Sequence, residues 1–326
     1  PGNDEKAALW SAYRERRPTR VPVQLRTNPR ILIQDPNVNT EGFTFQQVDE
    51  DPHAYVMMYL QYLRYCREVL HRTMDAPVGP PDAWPVYLWV YNVFEAAYFG
   101  APVTFSEDQL PDTEPLLTDD DRKEEIFDVD IEHPLENPFI AGKLAFWKEM
   151  EAICRDLTFE GKPVNLLPWA LCGTDGPVTV ACNLRGSEFL LDLVAEPGYA
   201  ERLMAFIIRA AILRRNAFAG CWGERLTLPN GMADDSSAML STEMYTEQVL
   251  PHHRAFFEAG PRDVERGMHM CGDATRHFPT IVRELGVTSF DTGFPVDHGA
   301  LRRELGPDVE IQGGPEIALL HDCLLY

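Results

Sequence analysis

The feature that most constrains the fold is a regular alternation of helical and strand patterns through the second half of the chain. Leu203, Phe206, Ile207, Ala210 and Leu213 recur at helical spacing, as do Phe278, Ile281, Val282 and Leu285. Between and after them lie short runs that end in Gly, Asp, Cys or Pro, at residues 225–229, 267–271, 288–291 and 309–314. Short strands interleaved with helices imply a parallel sheet. In one chain of 326 residues, an α/β fold of the (β/α)8 TIM-barrel type is more economical than a doubly wound sheet. No Gly-x-Gly-x-x-Gly or Walker-type loop follows any of these runs, which counts against a nucleotide-binding fold.

The first half is less regular. Residues 21–25 read as a first strand, followed by a Pro- and Asn-rich excursion to about Asp51. Val56, Leu60, Leu63 and Leu70 then fit a helix, 85–93 reads as a second strand, and Ile140, Leu144, Trp147, Cys154 and Leu157 mark another helix. There is no internal repeat and no low-complexity linker. The expected division is one barrel domain over 1–326, with an N-terminal embellishment (about 1–80) and an acidic surface insertion (about 107–136).

Charge narrows the function. Lys and Arg number 29 against 51 Asp and Glu, a net charge of −22, and no basic stripe is present. Such a field repels nucleic-acid phosphates and anionic membranes. Residues 107–136 alone carry thirteen acids against Arg122 and Lys123. That block is either a solvated insertion or a docking face for a basic partner. No run approaches the roughly 18 apolar residues of a membrane span. The seven cysteines are scattered without a Cys-x-x-Cys motif, which points to free thiols in a reducing, cytoplasmic setting. The chain begins at Pro1 with neither an initiator Met nor an apolar leader, so a trimmed or incomplete N-terminus is expected.

In a barrel of this kind, chemistry gathers at the C-terminal ends of the strands. Polar residues there fall into four groups: Asp234-Asp235-Ser236-Ser237, His269-Met270-Cys271-Gly272-Asp273, Asp291 with Asp297-His298, and Gln312-Gly313-Gly314. Alternation on a strand puts His269 and Cys271 on one face and Met268 and Met270 on the other. Imidazole and thiolate are ligands that zinc prefers, so His269 and Cys271 are the candidate metal pair. The same spacing fits a buried Cys beside a hydrogen-bonded core His. Asp234 and Asp235 either orient a ligand or a metal-bound His, or begin a helix that Ser241 caps.

Asp235, Asp273 and Asp291 are the candidate catalytic carboxylates, with a turn-forming role as the alternative for Asp291. Candidate substrate-binding residues are Arg26 and Arg30, Asp175 in the turn Gly173-Thr174-Asp175-Gly176-Pro177, and Gly313 with Gly314. Paired arginines recognise carboxylates through their forked geometry, or are ordinary surface residues. The two glycines allow close backbone approach to a ligand or to the adjacent loop.

Together these motifs resemble the uroporphyrinogen decarboxylase superfamily, which includes the cobalamin-dependent methyltransferases. The likeness rests on a Gly-x-x-Gly-Pro-x-Thr pattern at 173–179, Asp234-Asp235-Ser236 leading through 240–245 to Leu250-Pro251-His252, His269-Met270-Cys271-Gly272, and Gln312-Gly313-Gly314-Pro315 with Leu319-Leu320. It spans about 165–320 and is faint over 1–160. It implies a (β/α)8 barrel, a homodimer, and, from His-x-Cys-Gly, methyl transfer between a corrinoid (free or on a corrinoid protein) and a thiol or other small acceptor. Zinc on His269 and Cys271 would serve that transfer.

The decarboxylases of the superfamily carry an arginine-rich loop after the first strand. Arg26-Thr27-Asn28-Pro29-Arg30 keeps its two arginines but not its interior. Decarboxylation of a polycarboxylated tetrapyrrole, with Arg26, Arg30 and Asp291 on the substrate, is therefore the second expectation. A non-catalytic or truncated binding protein is the third. The methyltransferases take a second Cys ligand beyond the Gly-Gly turn. This chain stops at Tyr326, so the expectation is a barrel short of its last β/α unit, with the third ligand drawn from Cys323, Asp273, Asp235 or water.

Overall fold

Pro229 has no N–H to give a ladder, and the strand expected at 225–229 starts just beyond it, at Asn230. That shift apart, the alternation in the second half is the alternation observed. The computed structural model describes residues 2–24, 27–75, 82–91, 93–106, 109–314 and 316. Its strands, in chain order, are β1 (Trp84–Val86), β2 (Val103–Thr104), β3 (Asp112–Thr113), β4 (Thr158–Phe159), β5 (Lys162–Leu166), β6 (Asn230–Ala233), β7 (Arg266–Met270), β8 (Ser289–Thr292) and β9 (Glu310–Gln312). Helices of eight or more residues are α1 (Asn3–Arg14), α2 (Pro52–Glu68), α3 (Pro138–Cys154), α4 (Pro177–Arg185), α5 (Glu188–Ala195), α6 (Pro197–Trp222), α7 (Leu250–Glu258), α8 (Phe278–Leu285) and α9 (His298–Leu305). Three ladders result, β1-β5-β4, β2-β3 and an all-parallel β6-β7-β8-β9. The chain is thus α/β, and among the described residues these ladders do not join into a closed barrel.

The chain divides into two compact units. The first comprises Pro1–Trp89, Phe105–Pro111 and Gly142–Trp169. Its long helix α2 opens where Asp51 accepts hydrogen bonds from His53 N–H and Ala54 N–H, with Pro52 at a position that needs no donor. Along its length α2 buries Val56, Met58 and Leu60. The strand expected over 21–25 does not form at the described residues 21–24. The backbone groups of Val23 are taken up by Asp75 instead. Val23 N–H donates to the Asp75 carboxylate at 2.7 Å, Asp75 N–H donates to Val23 O at 2.7 Å, and Arg20 grips both carboxylate oxygens. The second expected strand, 85–93, shortens to β1.

The second unit comprises Val90–Thr104, Asp112–Ala141 and Ala170–Tyr326. Its core gathers on α6, which buries Leu203, Met204, Ile207, Ile208, Ala210 and Ala211. Arg214 on the same helix is fully buried and holds both oxygens of Glu95, at 2.9 and 2.7 Å. Its remaining donors reach Leu171 O and Gly173 O, both at 3.1 Å, and so pin the segment that leads into the Gly173–Pro177 turn.

The described part of the acid-rich insertion is strapped to the same helix. Glu124 pairs with Arg202 and Glu132 with Arg209. Between these pairs Phe127 packs edge-on against Tyr199 and Phe206. Asp120 reaches the buried Arg185, and Lys123 holds Glu196 at 2.6 Å.

These ion pairs differ in kind. Arg202–Glu124 and Arg209–Glu132 are exposed, so Arg202→Ala and Arg209→Ala should each cost ~0–1 kcal/mol in urea unfolding. Glu95→Gln leaves the Arg214 charge buried without its counterion and should cost about 3–5 kcal/mol in the same measurement.

Candidate functional site

Parallel pairing sets residues of neighbouring strands in rows. Ala233 faces His269, His269 faces Asp291, and Asp291 faces Gln312. Along β7 the side chains alternate as the sequence suggests: Met268 and Met270 are buried, and His269 lies on the opposite, more open face. The row therefore brings His269 Nδ1 to 3.1 Å from a carboxylate oxygen of Asp291. That contact turns Nε2 away from Asp291. Nε2 lies 3.0 Å from Cys271 Sγ and 3.5 Å from Asp235 Oδ1.

Asp235 opens the single 3₁₀ turn Asp235–Met239 that follows β6. Its Oδ1 accepts the Cys271 N–H at 2.6 Å. Asp235, His269 and Cys271 thus each offer a ligand atom, all within 4.8 Å of one another. The backbone beyond β7 is held from the next strand: Gly293 N–H donates to Met270 O at 2.9 Å. A Cβ on Gly293 would stand 2.5 Å from Gly272 N and 2.8 Å from Cys271 Cα, so only glycine fits there.

Electrostatics follow from this crowding. Hydrogen bonds to Asp291 and Cys271 raise the His269 pKa to about 10. A metal on Nε2 would displace that proton. Asp175, on the turn ahead of α4, is pushed up to about 7, chiefly by burial and then by the charges of Glu95 and Asp235. A carboxyl poised at that value can give or take a proton near neutral pH. The turn itself is locked to the end of β6. Ala233 N–H donates to Thr174 O at 3.0 Å, and Gly176, with φ +75°, lies against Asp234 where a side chain would collide.

Other residues singled out in the sequence fall elsewhere. Asp273 accepts the Thr275 N–H at 3.2 Å and stands outside the Asp235–His269–Cys271 group. Gly313 makes its close approach to the end of β8 and the start of α9, since a Cβ would meet Thr292 Oγ1 and His298 Nε2, whereas a Cβ on Gly314 would meet nothing within 4 Å among the described residues. Arg30 stacks over the Trp89 ring at 4.7 Å and lines a surface pocket with Thr27, Asn28 and Asp35. Arg26 and Cys323 lie outside the described residues. Ser241 caps the helical turn Thr242–Met244, as its position suggests. Sequence reasoning gave no role to Thr179 or Tyr245, although both stand in its motifs, and did not single out His253, Arg276 or His277; all five are tied to the segment around Asp234 and Asp235. The inward phase of His253 on α7 was the available signal.

Fold and site together define an α/β protein whose polar groups collect where parallel strands end. The chain belongs to the uroporphyrinogen decarboxylase (URO-D) family, whose model matches residues 4–321. Among solved structures, a methyltransferase from Methanosarcina mazei shares the fold, with a TM-score of 0.59 and 13% identity over 94% of this chain and 81% of that one. No curated protein matches the sequence. Among the described residues, no helix is long and apolar enough to cross a membrane.

Thiol accessibility gives a direct check of this geometry. Cys221 and Cys271 are exposed, whereas burial pushes Cys154, Cys172 and Cys182 up to about 11. Among the described cysteines, mass-spectrometric mapping after brief iodoacetamide treatment should find Cys221 and Cys271 modified first. In Gly293→Ala the Cys271 rate should change while that of Cys221 does not; equal rates in both proteins would mean that Gly293 does not set the Cys271 backbone.

Proposed function

We propose that this chain transfers a methyl group between a corrinoid, free or carried on a partner protein, and a thiol or other small acceptor. Zinc would be held by Asp235, His269 and Cys271 at the strand ends of a TIM-type barrel. The observation that carries the reading is the convergence of one nitrogen, one sulfur and one oxygen donor within 4.8 Å. That donor set suits zinc, and three protein ligands leave a fourth position for substrate. Zinc bound there supplies Lewis acidity that keeps a bound thiol in its thiolate form near neutral pH. The TM-score of 0.59 to the Methanosarcina mazei methyltransferase fits this reading.

The residues divide the work. Asp291 takes the Nδ1 proton of His269 in a hydrogen bond, which fixes the tautomer and leaves Nε2 to face Cys271 and Asp235. Asp235 offers a carboxylate and tethers the Cys271 backbone. Asp175 carries a proton at a carboxyl oxygen near neutral pH and serves a substrate heteroatom that gains or loses one. Asp235 and Asp291 are 42% and 50% exposed, and their charges repel a polycarboxylated substrate. Methyl transfer is therefore preferred to decarboxylation.

Purified protein should bind one equivalent of zinc, and His269→Ala, Cys271→Ala and Asp235→Ala should each weaken binding by more than ~100-fold. Bound zinc should also protect Cys271, but not Cys221, from alkylation. Wild-type protein that takes up no zinc sinks the proposal. Asp175 adds a pH signature. Its folded pKa is raised, so the wild type loses stability relative to Asp175→Asn as pH climbs from the ordinary carboxyl value of 3.8 towards about 7. Melting temperatures of the two proteins should match near pH 3 and diverge in favour of Asp175→Asn at pH 8.

A further inference from the structure

Behind Asp235 lies a buried carboxylate with no direct part in the proposed ligand set. Asp234 is fully buried, yet its two oxygens collect four donors. Oδ1 accepts Thr179 N–H and Thr179 Oγ1–H, both at 2.8 Å. Oδ2 accepts Ser237 Oγ–H and His253 Nε2–H, both at 2.7 Å. The second ring nitrogen of His253 meets Tyr245 Oη at 3.1 Å, and the Tyr245 ring lies 4.5 Å from that of His277. His253, Tyr245 and His277 are also fully buried.

The surrounding backbone explains why these groups meet. Pro251 removes a helix donor and crowds the preceding turn. The chain answers with a π turn over Tyr245–Val249, ahead of α7, which carries His253. Asp234 N–H donates to His269 O at 3.1 Å, extending the β6–β7 ladder by one bond. The turn Asp235–Met239 is then held at several points. Thr179 Oγ1 accepts Ser236 N–H at 3.0 Å, His277 Nε2–H donates to Ser237 O at 3.1 Å, and Arg276 donates to Ala238 O and Leu240 O.

We infer that Asp234, backed by His253 and Tyr245, is a positioning network that sets the Asp235 carboxylate against His269 and Cys271. Asp235 is one peptide bond from a carboxylate whose acceptor capacity is largely committed. Any rotation of the turn must break one of those buried bonds. Asp234→Asn replaces one acceptor by a donor, so that two donors face each other in a dry site. The turn then shifts, and Asp235 moves with it. This inference rests on the metal reading above, and the test separates the two.

The experiment titrates metal-free wild-type, Asp234→Asn, His253→Gln and Tyr245→Phe proteins with Co2+, following the thiolate-to-cobalt absorption band and the melting temperature. Outer partners of metal ligands typically change affinity by ~10–100-fold. The expected result is a shifted band and at least tenfold weaker binding in Asp234→Asn and His253→Gln, a smaller loss in Tyr245→Phe, and similar circular dichroism throughout. Lower melting temperatures with unchanged cobalt affinity and band would mean that the network is structural only, and would overturn the inference while leaving the metal reading intact. If Asp234→Asn fails to fold, His253→Gln and Tyr245→Phe decide by the same criteria. Wild-type protein that binds no cobalt overturns the metal reading. The inference is then judged on the Cys271 alkylation rate, which must change at least threefold in a folded variant while that of Cys221 holds; equal rates overturn it.

Discussion

The site depends on one cross-strand contact, His269 Nδ1 to Asp291 at 3.1 Å. Parallel strands in register make that contact without help from any loop, because facing residues on one side of the sheet are always neighbours. Once Nδ1 is spoken for, Nε2 has one direction left, towards the space that Cys271 and Asp235 enter from two different strand ends. A one-residue slip of β8 against β7 would put Asp291 on the far face and leave His269 without its orienting partner. The buried Phe290, packed against Phe278, opposes such a slip, since it would drive that ring out of the core.

Close backbone approach does for Cys271 what the register does for His269. Gly293 leaves no room between the ends of β7 and β8, and Gly176 leaves none between the turn ahead of α4 and the end of β6. The two glycines share the lack of space and differ in backbone conformation. Gly176 has a positive φ and no space for a side chain, whereas Gly293 is required by space alone. Arg214 completes the frame from behind by anchoring residues 171–173, so the turn bearing Asp175 rests on a buried ion pair.

Much of this was legible in the sequence, and the exceptions have physical causes. Period-2 alternation placed His269 opposite Met268 and Met270, and helical spacing found α2, α3, α6 and α8. The residues at 21–24 misled because their apolar pattern suits a strand, while the backbone N–H and C=O of Val23 bond to Asp75, a partner more than fifty positions away. Asp235 stood as only one of several third donors, because its approach to Cys271 depends on a 3₁₀ turn that spacing alone does not fix. Asp273, two residues after Cys271, was an equally good candidate by spacing, but its carboxylate turns back to Thr275. The network behind Asp234 was not legible as a unit, since Thr179, His253 and Asp234 come from three distant segments.

The strap over α6 changes what the acidic stretch can be to another molecule. Glu124 and Glu132 already have guanidinium partners on the same chain, and Asp120 shares the buried Arg185 with Asp192. A basic visitor would compete with arginines that never diffuse away, at an effective concentration set by the fold and not by the solution. The acids of this stretch that stay open to such a visitor are the ones without a tethered rival, and they are fewer than composition suggests. What reads along the chain as a block of negative charge is, for an incoming protein, a surface whose attraction has been partly spent within the molecule.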